Sequence, residues 1–124
     1  MTNKQKIAFN IMQGILALVF LAEGFTKLFG VQFQVDAFMR WGYPSWFMYI
    51  VGTFEVIGAI GLFTHFRKYA VLGLTALMAG AIYTHLTHGE AKYIGLALLM
   101  VILLWVSSWL KKKGGSTSVS VQSM

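Results

Sequence analysis

The sequence predicts an all-α integral membrane protein, a four-helix bundle with a short interfacial helix between the first and second spans. Hydrophobic residues make up 57% of the chain and charged residues only 11%, with a mean hydropathy of +0.68. This composition leaves too little polar surface to cover a water-soluble globule. The apolar residues also form long runs, and most charges lie between or beyond those runs, as in membrane-spanning proteins.

Four apolar runs approach the length of about 20 residues that a helix needs to cross the hydrocarbon layer. They cover residues 7–29, 46–66, 69–88 and 92–110. A chain of 124 residues with four such runs has room for one bundle and no separate soluble domain. We therefore expect a cytoplasmic tail at 1–6, the membrane bundle at 7–110, and a basic and then disordered cytoplasmic tail at 111–124.

The basic residues predict how the chain is oriented. If the chain crosses four times, seven of its ten Lys and Arg residues share one side: Lys4, Lys6, Arg67, Lys68, Lys111, Lys112 and Lys113. Because basic loops stay on the cytoplasmic side, we expect a multi-pass protein of the cell membrane with both termini in the cytoplasm. The net charge of +6 then reflects orientation, so the expected surroundings are a lipid bilayer and not nucleic acid.

The segment at residues 33–45, FQVDAFMRWGYPS, predicts the short interfacial helix. Its apolar residues share one helical face, and Asp36 and Arg40 are spaced i, i+4 for an ion pair. Gly42 and Pro44 should end the helix before the second span. Two interpretations remain, a lid that only seals the bundle and a gate for a substrate.

Two carboxylates and a lysine lie within the first and second spans. Glu23 and Lys27 are four residues apart in the favourable order for an ion pair. Glu55 falls near the bilayer midplane, where an ionisable side chain is expensive and usually faces the bundle interior. Gly52 and Gly58 flank it and would let another helix approach closely. We expect Glu55 to point into the bundle toward the first span.

The third span ends with YTHLTHGE, in which His85 and His88 are spaced i, i+3. Together with the charges of the first two spans, these residues predict one polar site in the outer half of the bundle. Its candidate members are Glu23, Lys27, Glu55, Tyr83, Thr84, His85 and His88. A purely structural role, as hydrogen bonding between helices, is the alternative. His-x-x-His spacing is weak evidence for a metal, so we assign no metal site.

The absence of Cys restricts the chemistry. It excludes a disulfide framework, a CxxC redox pair, a thiolate zinc site and an iron–sulfur cluster held by the chain's own thiolates. Any redox function must therefore use a bound cofactor or a partner.

Several motifs, in this order, resemble the DoxX family over residues 8–110: LAEGFTKLFG, WGYP, EVIGAIGLF, a basic turn and AIYTH. The resemblance implies a four-helix integral membrane protein of bacteria or archaea. The family takes its name from a subunit of a thiosulfate:quinone oxidoreductase, and members are often tied to quinone-linked or oxidative-stress redox complexes. Distant eukaryotic relatives act as receptor-assembly chaperones. The family's acidic and basic first-span positions match Glu23 and Lys27, its second-span acid matches Glu55, and its third-span His matches His85.

Two hypotheses follow. In the first, the protein is an oxidoreductase subunit that binds a quinone or small phenolic. Glu23 or Glu55 exchanges protons, Lys27 holds Glu23 or a ligand anion, and His85 donates to a carbonyl oxygen. Tyr83, Thr84 and His88 would complete the ligand site. In the second, the polar cluster is structural and the protein is a non-catalytic assembly factor for a membrane partner. A redox complex, another membrane protein or a second copy of the chain are the candidate partners.

Overall fold

The computed structural model describes the backbone of residues 2–123 and the side chains of residues 2–112. Its helices are α1 (Asn3–Leu28), α2 (Gln32–Trp41), α3 (Ser45–Gly61), α4 (Arg67–Thr87) and α5 (Ile94–Ser123), with a 3₁₀ turn at Ala91–Tyr93 before α5. All regular structure within residues 2–123 is helical. This confirms the predicted all-α fold class, including a short helix between the first and second spans.

Three helical segments are long and apolar enough to cross a membrane: Asn3–Leu28, Arg67–Thr87 and Ala91–Lys112. Helix α3 is also apolar but has only 17 residues. At 1.5 Å per residue it spans about 25 Å, at the short end of the range for membrane-spanning helices. The chain is therefore a membrane protein built as a helical bundle.

The predicted end of the second span at residue 66 is wrong, because α3 ends at Gly61. The next residues form turns in which the Thr64 hydroxyl donates to the Gly61 carbonyl at 2.9 Å and accepts from the Phe66 amide at 3.1 Å. A side chain that bonds to nearby backbone groups in this way competes with helix continuation. Residues 62–66 are mostly apolar, so hydropathy alone does not reveal this turn.

The other helix ends follow local sequence rules. Helix α1 begins with a capping box, in which Thr2 Oγ1 accepts from the Gln5 amide and Gln5 Oε1 accepts from the Thr2 amide. Helix α2 ends at Gly42, whose φ of 78° lies in the left-handed region that glycine adopts without strain. The predicted disordered tail falls mainly on residues 113–124, whose side chains lie outside the described part, so it stays a prediction.

The four long helices form a closed ring. Helix α1 packs against α3 and α5, and α4 packs against the same two helices from the other side. Helix α2 lies across one end and contacts α3 and α1. We call this end, with residues 20–28, 45–55, 76–87 and 92–97, the α2 half, and the remainder the opposite half.

The apolar core lies in the opposite half of the ring, except for Phe20, which belongs to the α2 half and borders the core. Its members are Leu16, Phe20, Ala59, Leu62, Ala70, Val71, Leu74, Met100 and Leu104. Large apolar side chains also cover the outside of the bundle, and Leu18 is 71% exposed. Such a surface is what contact with lipid requires. The α2 half, in contrast, is not filled by side chains.

Candidate functional site

A cavity of about 830 Å³ occupies the α2 half. Side chains from α1, α3, α4 and α5 form its walls, and α2 covers it. The aromatic residues of its lining include Phe20, Phe38, Tyr43, Phe47 and Tyr93. A largely apolar space of this size with a few polar groups is typical of sites that bind small organic molecules. The polar groups fall into two clusters.

The first cluster consists of Glu23, Lys27, Gln34 and Glu55, and we call it the Lys27 cluster. Lys27 Nζ donates to Glu23 Oε2 at 3.1 Å and lies 2.9 Å from Glu55 Oε1. The second contact has ion-pair distance but not the angle of a hydrogen bond, so Glu55 Oε1 has no hydrogen-bond donor among the described residues. Lys27 and Glu55 are both buried. The predicted convergence of the first two spans is therefore present.

Two glycines let α1 and α3 come close enough for this contact. A Cβ built on Gly24 would lie 2.8 Å from the Gly52 carbonyl oxygen and 2.6 Å from Val56 Cγ2. A Cβ on Gly52 would lie 2.8 Å from the Gly24 carbonyl oxygen and from Lys27 Cβ. Backbone atoms cannot move aside as a flexible side chain does. The missing side chains at these two positions are therefore what brings Lys27 within reach of Glu55.

Gln34 is a member of the cluster that sequence reasoning missed. It is 5% exposed, and its Nε2 donates to Glu23 Oε2 at 3.2 Å and to Thr26 Oγ1 at 3.0 Å. The spacing i, i+4 from Gln34 to Phe38 places both on the buried face of α2. That spacing was available in the sequence, but a polar residue on the buried face of an amphipathic helix is easily assigned to the solvent face.

The second cluster surrounds Glu90, and we call it the Glu90 cluster. Glu90 Oε2 accepts from Arg40 Nε at 2.9 Å and lies 2.8 Å from Arg40 Nη2. Glu90 Oε1 accepts from Trp41 Nε1 at 2.8 Å and is 3.1 Å from His85 Nδ1. One carboxylate thus joins the end of α2 to the end of α4. Hydrogen bonds from Trp41, and after it from His85 and Arg40, hold the pKa of Glu90 below its ordinary value despite the opposing effect of burial.

The predicted ion pair between Asp36 and Arg40 is wrong. Arg40 turns to Glu90, while Asp36 Oδ1 accepts from Gln32 Nε2 at 2.7 Å on the exposed side of α2. The carboxylates of Asp36 and Glu90 have different surroundings. The Glu90 carboxylate also binds Trp41 and His85 and is partly shielded from water. A guanidinium gains more from such a site than from an exposed neighbour one helical turn away.

Most of the predicted site residues line the one cavity: Glu23, Lys27, Glu55, Tyr83, Thr84 and His85. Thr84 is buried and its hydroxyl lies 2.8 Å from that of Tyr43. Tyr83 is 67% exposed and contributes only to the edge of the cavity. His88 is exposed, and its Nδ1 lies 2.8 Å from the Thr84 carbonyl oxygen. The structure does not bring His88 to the cavity.

A third polar cluster lies in the opposite half, around Arg67. This residue was expected in a basic loop at the membrane surface but is only 7% exposed. It donates to Ser108 Oγ at 2.8 Å, Ser107 Oγ at 2.9 Å and Gln13 Oε1 at 3.3 Å. Gln13 Nε2 in turn donates to the Leu62 carbonyl at 2.7 Å. Polar residues inside the first and fourth apolar runs were the available signal.

The cavity offers acidic, basic and hydrogen-bonding groups on aromatic walls. Lys27 donates to anionic or carbonyl oxygens, and the carboxylates and His85 are able to exchange protons. Within residues 2–112, no three or more His, Asp or Glu side chains come together as metal ligands. The polar groups of the cavity can form hydrogen bonds with a ligand and exchange protons with it.

Comparison with known proteins gives two matches. The model of the DoxX-like family matches residues 11–107. The uncharacterized protein YdgD of Bacillus subtilis (strain 168) is 34% identical over 102 residues, which are 78% of this chain and 89% of that protein. No solved structure matches the chain at a significant level. The family match covers all four long helices as well as α2, so the chain belongs to the DoxX-like family.

Proposed function

We propose that this protein is the membrane subunit of a quinone-linked or oxidative-stress redox complex and binds a quinone or a small phenolic in the cavity of the α2 half. One observation carries the proposal: an aromatic-walled space of about 830 Å³ onto which buried ionisable side chains open. Membrane-embedded carboxylates and lysines are expensive and are usually retained for function. The protein is proposed to lie in the cell membrane with both termini in the cytoplasm.

The residues of the cavity suit the two chemical parts of a quinone. Aromatic side chains such as Phe20, Phe38 and Phe47 offer stacking and edge contacts to a flat ring. Lys27 supplies a positive donor for a carbonyl oxygen, and the buried Glu55 beside it supplies a carboxylate that can accept a proton and return it. Glu23 accepts a hydrogen bond from Lys27 on the other side, and Gln34 donates to the same Glu23 oxygen.

A quinone becomes a quinol by taking up two electrons and two protons. The chain has no Cys and so no dithiol or thiolate-held cluster of its own to supply electrons. We assign the electrons to a redox partner protein and the protons to side chains of the cavity. A bound quinone would supply the electron acceptor, while this chain positions it and exchanges its protons.

One observation favours the alternative, a non-catalytic assembly factor. In the Lys27 cluster the ammonium already neutralises Glu23 at 3.1 Å and contacts Glu55 at 2.9 Å without any ligand. A cluster of this kind serves equally well to hold α1 against α3. The two functions differ in what happens when Glu55 loses its charge.

The deciding experiment compares wild type, Glu55→Gln and Glu55→Leu in mild detergent. Each protein is analysed by mass spectrometry for retained small molecules and titrated with duroquinone by calorimetry. We expect Glu55→Gln to fold normally and to bind duroquinone at least about tenfold more weakly, a loss of about 1.4 kcal/mol. Asp36→Asn is the matched control, because it removes a carboxylate from the exposed side of α2. Unchanged binding in well-folded Gln and Leu variants would favour the assembly role.

A further inference from the structure

The contact between Glu90 and His85 restricts which nitrogen of His85 faces the cavity. His85 Nδ1 lies 3.1 Å from Glu90 Oε1, and the imidazole ring lines the cavity. An ionised carboxylate only accepts hydrogen bonds, so Nδ1 must carry the proton of this bond. A neutral imidazole has one donor and one acceptor nitrogen. Nε2 is then an acceptor, and no described side chain donates to it.

Glu90 is itself held in place by two other donors. Arg40 Nε binds Oε2 at 2.9 Å and Trp41 Nε1 binds Oε1 at 2.8 Å. The Glu90 carboxylate cannot rotate away from His85 without breaking these bonds. They also keep Glu90 ionised, because each of them favours the charged form.

Aromatic rings fix the plane of the imidazole. The Trp41 ring meets the His85 ring edge-on at 5.4 Å between centroids, and the Tyr93 ring lies at 5.9 Å. The charges around the imidazole are largely paired, since Arg40 is bound to Glu90 and Lys92 Nζ lies over the Tyr93 ring at 5.2 Å. Among the described residues, neither Arg40 nor Lys92 donates a hydrogen bond to the imidazole of His85.

We propose that Glu90 is a positioning residue that holds neutral His85 in its Nδ1–H tautomer, so that Nε2 accepts a hydrogen bond from a ligand hydroxyl. This inference rests on the proposed function and narrows its ligand class. A quinol or phenol carries such a hydroxyl, whereas a quinone carries only acceptors. The role is opposite to the donation to a carbonyl oxygen expected of His85 from the sequence. Lys27 remains the donor for a carbonyl or anionic oxygen elsewhere in the cavity.

The tautomer is measured directly by ¹⁵N NMR of ligand-free protein labelled at histidine, in alkaline buffer where imidazole is neutral. His85→Gln identifies the resonances of His85 among those of the three histidines. We expect wild-type His85 to show a protonated Nδ1 and an unprotonated Nε2. In Glu90→Gln this preference should be lost, with signal moving toward the Nε2–H form. Asp36→Asn, which removes an exposed carboxylate of α2, should leave the spectrum unchanged.

Two results would overturn the proposal: wild-type His85 in the Nε2–H form, or the same tautomer in wild type and Glu90→Gln. If Glu90→Gln does not fold, the wild-type spectrum decides by itself.

A binding measurement separates this inference from the proposed function. Menadione and its reduced form, menadiol, are titrated anaerobically into wild type and Glu90→Gln. We expect the wild type to prefer menadiol, and this preference to fall at least about tenfold in the variant. Equal loss for both compounds would assign Glu90 a structural role and overturn the inference. Failure of both compounds to bind any variant, including wild type, would instead count against the quinone site and leave the tautomer measurement standing.

Discussion

The two halves of the bundle each bury one cation, and they stabilise it in different ways. Lys27 in the α2 half and Arg67 in the opposite half are both 7% exposed. Lys27 is surrounded by two carboxylates, whereas the hydrogen bonds of Arg67 within the described residues go to the neutral oxygens of Gln13, Ser107 and Ser108, and its guanidinium lies over the Phe9 ring at 5.3 Å. The first half contains the large cavity, and the second contains most of the apolar core. Two equally buried cations therefore need not have the same role. Lys27 and Arg67 differ in the charge of their partners and in whether the large cavity lies beside them.

The largest expected effect tests the ion pairs of the α2 half. Lys27→Met leaves Glu55 buried without a counter-charge, which should lower the free energy of unfolding by about 3–5 kcal/mol. The double variant Lys27→Met/Glu55→Gln removes both charges and should recover much of that loss. Chemical denaturation in mild detergent measures both. A double variant no more stable than the single one would show that the two side chains are not coupled.

The next effect tests how the α2 half is held together. Gly24→Ala places a Cβ against the backbone of α3, and the resulting separation of α1 and α3 should cost about 2–3 kcal/mol. Gly14→Ala is the matched control on the same helix, because nothing lies within 4 Å of the added Cβ. It should be neutral or stabilise by about 0.5–1 kcal/mol through helix propensity. Equal stability of the two variants would contradict the close crossing.

A smaller effect is expected when the cation of the opposite half is removed. Arg67→Met leaves no carboxylate unpaired, and Ser107 and Ser108 still donate to the Leu104 carbonyl at 3.0 and 2.7 Å. We expect a loss of about 1–2 kcal/mol in the free energy of unfolding, from the lost hydrogen bonds and the lost contact with the Phe9 ring. The same denaturation assay applies. A loss as large as that of Lys27→Met would remove the distinction between the two halves.

The smallest effect concerns acid pH at the Glu90 cluster. The folded protein holds the pKa of Glu90 below the ordinary value of 4.5, so its contribution to stability is present above that pH. It is lost as the pH falls through the lower, folded-state pKa. Thermal unfolding followed from neutral to acid pH should therefore decline more steeply below pH 4.5 in wild type than in Glu90→Gln. The other three carboxylates are common to both proteins, so parallel curves would contradict the shift.

Local spacing was enough to predict part of the site. Glu23 and Lys27 pair because residues four apart on one helix are neighbours, and the fold leaves this pair in place, unlike Asp36 and Arg40. Glu55 faces the first span, and Gly52, three residues before it, lets α1 approach closely on that side. Such contacts depend on one helix, or on two helices that are adjacent in sequence order and packed closely.

Contacts across long sequence separations were not predictable in the same way. Glu90 is not among the site residues that the sequence predicts, yet it binds Arg40 and Trp41, which are 50 and 49 residues away. Asp36 has the i, i+4 spacing that favours an ion pair with Arg40, but Arg40 binds Glu90 instead. The sequence predicts Arg67 in a basic loop at the membrane surface. Its hydrogen-bond partners Ser107 and Ser108 lie 40 and 41 residues further along the chain.

The sequence by itself determined the all-α class, the membrane environment and the approximate positions of four spans, because hydropathy and helical period act over a single turn or a single helix. Only the tertiary structure decided that the α2 half is hollow, that Glu90 joins the end of α2 to His85, and that Arg67 is buried among neutral oxygens. These features depend on how helix ends meet across the ring. A buried polar group forms hydrogen bonds with the partner that helix packing places beside it. The distance in space between two such groups cannot be derived from their separation along the sequence.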